Sequence, residues 1–187
     1  MEALFQSFKA RAAAVSAEVH RFANRDDAMA FVVGFLQGEG VNDAPPNYAA
    51  WADCPFLEGV DRETLTRRVP GLRFDVTREL AAETRIGISQ MDWAIADTGT
   101  LAQDASPVAK RLVSTLPIIH VALIATNALN PDLPSVLKKV DPRQSAYLSF
   151  ITGPSRTADI ERVLTIGVHG PERLIIVFVD EPKGTAV

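Results

Sequence analysis

A strand, a tight turn and a helix are predicted in the segment from residue 150 to residue 161. The turn contains Gly153 and Pro154, and the side chains that open the helix include two hydroxyls and a guanidinium, which all donate hydrogen bonds. Main-chain amides at a helix N-terminus favour negative charge as well. We therefore predict an anion site whose ligand-binding residues are Gly153, Ser155, Arg156, Thr157 and Asp159.

The same segment has a purely structural interpretation. Ser155 or Thr157 can cap the helix, and Asp159 can complement the helix dipole. Arg156 then forms an ion pair with a neighbouring carboxylate. The spacing does not decide between the two interpretations, because it matches neither a Walker phosphate loop nor the GxGxxG pattern.

A second candidate site surrounds Asp97. Short apolar runs flank residues 98–100, so we predict a turn that leaves the Asp97 carboxylate and two hydroxyls near a sheet edge. A carboxylate in this position can act as a catalytic nucleophile or general base. It can equally stabilise the loop through an Asx turn. The candidate ligand-binding residues of this turn are Thr98, Gly99 and Thr100.

The three histidines are scattered along the chain. His169 lies between glycines just before a strand, where it can serve as a catalytic acid or base, as a hydrogen-bond donor to an anion, or simply as a turn residue. His120 lies in an apolar run and is predicted to be a core histidine bonded to a backbone carbonyl, whereas His20 is predicted on an exposed helix face. No histidine has a metal-ligand partner at helical spacing, so we predict no metal site.

Composition limits the function further. The chain has 187 residues, 47% of them hydrophobic, and its formal charge of −4 is not concentrated in a basic face. Nucleic acid and anionic membranes are therefore disfavoured as partners. One cysteine, Cys54, cannot form an internal disulfide or ligate an iron–sulfur cluster alone. The longest apolar stretches are too short for a membrane span and we see no secretory signal, which predicts a cytoplasmic protein.

The chain is predicted to fold as one α/β domain with a mainly parallel sheet. Residues 1–40 are expected to form N-terminal helices, the first from Leu4 to Phe22, and residues 41–70 an irregular loop whose aromatic side chains fill a core edge or cover a site. Residues 71–187 are expected to form the α/β core. Strands are predicted at 86–89, 93–96, 118–125, 147–152 and 174–180, and helices at 76–83, 107–114, 134–140 and 157–166.

Two motifs of this sequence resemble the LUD domain family. One is the run from Thr152 to Glu161 followed by Gly167-Val168-His169-Gly170-Pro171, and the other is the block from Ala94 to Thr100 with Leu116-Pro117 downstream. The similarity covers roughly residues 70–181 in the correct order. Family members often have glutamate where this chain has Asp97.

The resemblance implies a fold of the ribose-phosphate isomerase and CoA-transferase superfamily (NagB/RpiA/CoA transferase-like). It also implies a role in the oxidation of L-lactate to pyruvate beside iron–sulfur partner proteins, with no cofactor in this chain. We therefore expect an accessory subunit that binds a small anion. The alternative is a self-sufficient CoA-transferase-like or sugar-phosphate isomerase-like enzyme in which Asp97 and His169 are the catalytic residues. A homo-oligomer is compatible with either.

Overall fold

The computed structural model describes residues 1–156 and 170–180. Short 3₁₀ turns at Pro55–Leu57 and Thr126–Ala128 accompany the helices and strands. In chain order the elements are α1 (Glu2–Ala14), β1 (Glu18–Phe22), α2 (Arg25–Gly38), β2 (Tyr48–Trp51), α3 (Arg62–Arg68), β3 (Leu72–Arg73), α4 (Arg78–Ala82), β4 (Thr84–Gln90), β5 (Trp93–Ile95), β6 (Thr100–Asp104), α5 (Val108–Thr115), β7 (Ile119–Ala125), β8 (Leu129–Asn130), α6 (Leu133–Leu137), β9 (Leu148–Ile151) and β10 (Arg173–Val179).

Six strands form a sheet in the order β1-β10-β7-β4-β2-β3, and every neighbouring pair is parallel. Side chains alternate between the two faces of β7, so both faces are covered. Ile119, Val121 and Leu123 enter the core that includes α2 and α3, while Ala122 and Ile124 enter the core that includes α1. The predicted α/β class with a parallel sheet and flanking helices is confirmed.

A second sheet of four strands has the order β8-β5-β6-β9. In it β6 is antiparallel to both β5 and β9. The strand that precedes Gly153 therefore does not belong to the parallel sheet. Its pairing partner is the antiparallel strand β6.

The N-terminal segment differs from the predicted long helix. α1 ends at Ala14, and Ser16 adopts a left-handed backbone angle of φ 70° that reverses the chain. The amides of Ser16 and Ala17 donate to the carbonyls of Ala13 and Ala12, which is the Schellman arrangement. The next residues form β1, whose pairing with β10 outweighs a helical spacing of apolar residues. His20 accordingly lies on β1, where its ring contacts Phe31 with centroids 4.5 Å apart.

Residues 41–70 are not an irregular loop throughout. They contain β2 and α3, and β2 pairs with both β3 and β4 inside the main sheet. Trp51 and Phe56 are buried in the core, so of the two predicted roles for the aromatic side chains these two have the first, which is to fill the core.

None of the helices in the described parts of the chain combines the length and the apolar character that crossing a membrane requires.

Candidate functional site

A cavity of about 250 Å³ lies between the end of α5, the first residues of β7 and β10, and the segment that follows β9. It is therefore at the amino ends of two central strands. Ligands of open parallel sheets usually bind at the carboxyl ends, whereas this cavity lies at the opposite edge of the parallel sheet. The polar wall of the cavity includes Ser114, Thr115, His120, Thr152 and Ser155.

The predicted turn at Gly153 forms one rim of this cavity. Gly153 has φ 72°, and a Cβ on it would lie 2.5 Å from the Val15 carbonyl oxygen, so only glycine fits without strain. The amide of Ser155 donates to the Pro171 carbonyl at 2.8 Å. The Ser155 amide is therefore not available to an anion.

Arg156 follows directly and its guanidinium is exposed to solvent. Its Nη2 donates to the Ser16 hydroxyl at 3.1 Å, which ties the corner to the end of α1. Ser16 is uncharged, so this hydrogen bond leaves the positive charge of Arg156 uncompensated by that partner. The guanidinium thus provides a positive charge one residue from the cavity wall.

Three predicted site residues, Thr157, Asp159 and His169, and the predicted helix at 157–166 lie outside the described residues. The ligand-binding role of Thr157 and Asp159 and the catalytic role of His169 therefore stay predictions.

The turn between β5 and β6 is present where it was predicted. The amide of Gly99 donates to the Ile95 carbonyl at 3.0 Å, and the amide of Asp97 donates to the Pro131 carbonyl at 3.1 Å. Asp97 and Thr98 are exposed and do not line the cavity. The catalytic role of Asp97 also stays a prediction.

Thr100 connects this turn to the cavity. Its hydroxyl oxygen lies 2.8 Å from that of Thr152, and Thr152 is part of the cavity wall. Both turns also pack against the end of α1, where a Cβ on Gly99 would overlap the Ala12 amide nitrogen and Gly153 meets Val15. The structure thus brings the two sequence motifs together, and it does so through close backbone packing.

His120 is the most perturbed titratable group of the cavity wall. It is fully buried on β7, and its Nε2 lies 2.9 Å from the Ser89 hydroxyl oxygen. Burial lowers the pKa of His120 to about 4, so the imidazole is neutral at physiological pH. The prediction of a core histidine is confirmed, but its partner among the described residues is a serine hydroxyl instead of a backbone carbonyl. Within the described residues its Nδ1 has no hydrogen-bond partner.

Two hydroxyls at the end of α5 were not predicted as site residues. The Ser114 hydroxyl donates to the Arg111 carbonyl at 3.2 Å and accepts from Gln103 Nε2 at 3.2 Å. The Thr115 hydroxyl donates to the same carbonyl at 2.6 Å. The only sequence signal for these two residues is that adjacent hydroxyl side chains stand near the end of a predicted helix, shortly before a proline.

Within residues 1–156 and 170–180, histidine, cysteine and acidic side chains form no cluster of three or more that could hold a metal ion.

Comparison with known proteins agrees with the similarity seen in the motifs. The family model "LUD domain" matches residues 5–179. "Lactate utilization protein C" of Exiguobacterium sp. is 37% identical over 113 residues, which are 57% of this chain and 49% of that protein. "Lactate utilization protein C" of Shouchella clausii is 33% identical over 141 residues, 71% of this chain and 62% of that protein. The chain thus spans about half the length of the first of these curated relatives.

A solved structure supports the fold. The crystal structure of a DUF162 family protein from Deinococcus radiodurans has a TM-score of 0.66, with 16% identity, and the match covers 95% of this chain and 97% of that one. At this sequence identity the similarity is evidence for the fold alone. Together with the parallel sheet and the two motif turns, the family match over nearly the whole chain establishes that this protein belongs to the LUD domain family.

Proposed function

We propose that this protein is an accessory component of a cytoplasmic lactate-utilisation system and holds a small 2-hydroxy or 2-keto acid in the cavity between α5 and the Gly153 corner. The observation that carries the proposal is the position of this cavity, which is lined by Gly153 and Ser155 of the family-like motif. The names of the relatives support the metabolic context.

The size of the cavity suits such a ligand. Pockets for drug-sized molecules measure about 300–1,000 Å³, and one water occupies about 30 Å³ of liquid. A volume of about 250 Å³ is therefore enough for a molecule of a few non-hydrogen atoms with some retained water. Nucleotides and coenzyme A are too large to be enclosed by the cavity alone.

The distribution of charge suggests how an acid would be oriented. No charged side chain belongs to the described wall of the cavity, and the end of α5 presents its carbonyls on one side. Arg156 follows Ser155 of the wall, and its guanidinium contacts Ser16 beyond the end of α1. A guanidinium binds a carboxylate through two parallel hydrogen bonds, so we expect the carboxylate of the ligand on the Arg156 side.

The cysteine content supports a division of labour. Cys54 is the one cysteine of the sequence, and burial raises the pKa of its thiol, which keeps it protonated and unreactive. Oxidation of lactate requires an electron acceptor. We propose that iron–sulfur subunits of the system supply it and that this chain contributes ligand binding.

Replacement of Arg156 by alanine should weaken the binding of L-lactate about tenfold, because hydrogen bonds to a charged group contribute about 1.5–3 kcal/mol. Isothermal titration calorimetry with L-lactate and with pyruvate measures the change. Ser16→Ala is the matched control, since it removes the Arg156 hydrogen bond to α1 but keeps the guanidinium. Arg68→Ala on α3 controls for the loss of an exposed positive charge far from the cavity.

Two outcomes would contradict the proposal. One is that the wild-type protein binds neither acid. The other is that Arg156→Ala and Arg68→Ala bind both acids as the wild type does. Thermal denaturation of each variant shows whether a loss of binding reflects a loss of folding.

A further inference from the structure

We propose that the His120 side of the cavity takes the hydroxyl group of a 2-hydroxy acid, so that this protein binds the hydroxy acid more tightly than the corresponding 2-keto acid. The inference rests on the proposed function and adds to it a preference between the two forms of the ligand. The preference follows from the hydrogen-bond donors and acceptors of the cavity wall that are not used within the protein.

The hydroxyls of α5 face the cavity as acceptors. The Thr115 hydroxyl donates its only hydrogen to the Arg111 carbonyl. Its lone pairs take no part in that bond and can accept from a ligand. The Ser114 hydroxyl also donates to this carbonyl. It must therefore accept from Gln103, which fixes the amide of Gln103 with Nε2 toward Ser114 and Oε1 on the other side. Within the described residues Gln103 Oε1 is a buried acceptor without a donor.

His120 adds a polar atom that suits the same group. Its Nδ1 is buried and has no partner among the described residues, although His120 lines the cavity. Leaving a buried polar atom unpaired costs about 1–3 kcal/mol, so an occupant that pairs with it is favoured. The tautomer of His120 depends on whether the Ser89 hydroxyl donates to Nε2 or accepts from it. Nδ1 is then a donor or an acceptor, and a hydroxyl group can pair with it in both cases.

A keto group satisfies less of this wall, since it can pair with Nδ1 only in the tautomer in which Nδ1 carries the hydrogen. It has no hydrogen to donate, so its oxygen would face the lone pairs of Thr115 and Ser114 without a hydrogen bond to either. A hydroxyl donates to these oxygens. The carbonyl-rich end of α5 disfavours a carboxylate at the same place, which leaves the carboxylate to the Arg156 rim. The hydroxyl and the carboxylate of a 2-hydroxy acid therefore meet different parts of the wall.

Thr115→Val tests the hydroxyl contact directly. Valine has nearly the shape of threonine and position 115 is exposed, so the fold should be retained. We expect the wild type to bind L-lactate about tenfold more tightly than pyruvate, and Thr115→Val to reduce this ratio to about threefold or less. Thr66→Val is the matched control, because Thr66 makes the same hydrogen bond to the carbonyl four residues earlier, on α3 and away from the cavity. Its ratio should equal that of the wild type.

A second readout follows His120 itself. In ¹⁵N-detected imidazole spectra, saturating L-lactate should shift the Nδ1 resonance of His120 in the wild type and in Thr66→Val, and pyruvate should shift it less. Equal calorimetric affinities for the two acids in the wild type would overturn the hydroxyl contact while the Arg156 effect still supports the proposed function. An unchanged ratio in Thr115→Val together with an unshifted Nδ1 would also overturn it. Failure of both acids to bind would overturn both proposals.

Discussion

Gly87→Ala should lower the free energy of unfolding by about 3 kcal/mol, the upper end of the usual cost of overpacking a core. Gly87 lies on β4 opposite His120, and α5 crosses the strand at this point. A Cβ at this position would overlap the Val113 carbonyl oxygen and approach the Pro117 ring. Backbone atoms cannot rotate away as a flexible side chain can, so α5 has to move as a unit.

The displacement should also reach the cavity, because Ser114 and Thr115 follow Val113 on the same helix. Urea denaturation followed by circular dichroism gives the stability, and calorimetry gives the affinity for L-lactate. Gly34→Ala is the matched control. Gly34 lies within α2 with open space around it, so alanine there should stabilise the protein by about 0.5–1 kcal/mol. Equal stability of the two variants would show that α5 does not rest on Gly87 as described.

The central strands were predictable because both of their faces are buried. β7 and β10 are largely apolar, and β4 has the shorter apolar core Ile86-Gly87-Ile88; such runs do not depend on which neighbour the strand acquires. The edge of the sheet was harder. Val19 and Phe22 fit the apolar spacing of α1 equally well, and only the pairing of β1 with β10 across most of the chain length makes them a strand.

β2 and β6 were missed for a related reason. β2 has four residues between prolines, and its alanines carry no strand signal, so its place between β3 and β4 comes from tertiary pairing. β6 follows the turn at Gly99 and mixes apolar and polar side chains. In both segments long-range pairing decides the structure, and local propensity does not reveal it.

The residues of the candidate site also fall into those that local sequence predicts and those that depend on tertiary structure. The Gly153 corner was found because glycine, proline and hydroxyl residues at a turn are a local signal. The acceptors at Ser114 and Thr115 could not be found, because their role depends on α5 resting on Gly87 at one particular register of β4 and β7. His120 was correctly placed in the core, but the Ser89 partner lies on the neighbouring strand and is not visible in the sequence around the histidine.

The neutral His120 should make the protein lose stability as the pH falls from about 6.5 to about 4. Burial lowers the pKa of His120 in the folded protein to about 4, whereas histidine in an unfolded chain titrates near about 6.5. Between these values the unfolded state binds a proton that the folded state does not, so stability rises with pH across this window. The shift corresponds to about 3 kcal/mol, fully present above the window and lost below it.

Other groups titrate nearby and must be separated from His120. The pKa of His20 is also lowered by burial, which gives a contribution of the same sign. Hydrogen bonds from Ser106 hold the pKa of Asp104 below its usual value, and hydrogen bonds from Arg21 and Thr126 outweigh burial in lowering that of Asp180. These two carboxylates lose their contribution only as the pH falls through their own lowered pKa values. Their effect therefore begins at lower pH than that of His120.

Urea denaturation at pH 7.5, 6, 5 and 4.5 isolates the effect when the wild type is compared with His120→Asn and with His20→Asn. The difference between wild type and His120→Asn should shrink by about 2 kcal/mol over this range, because asparagine does not titrate. His20→Asn should retain most of the wild-type slope. NMR titration of the wild-type His120 ring provides an independent value that needs no variant. Two results would show that His120 is hydrated: a ring that titrates near the unfolded value, or a His120→Asn protein whose stability depends on pH as the wild type's does. Nδ1 would then not be the unpaired buried atom on which the hydroxyl preference rests.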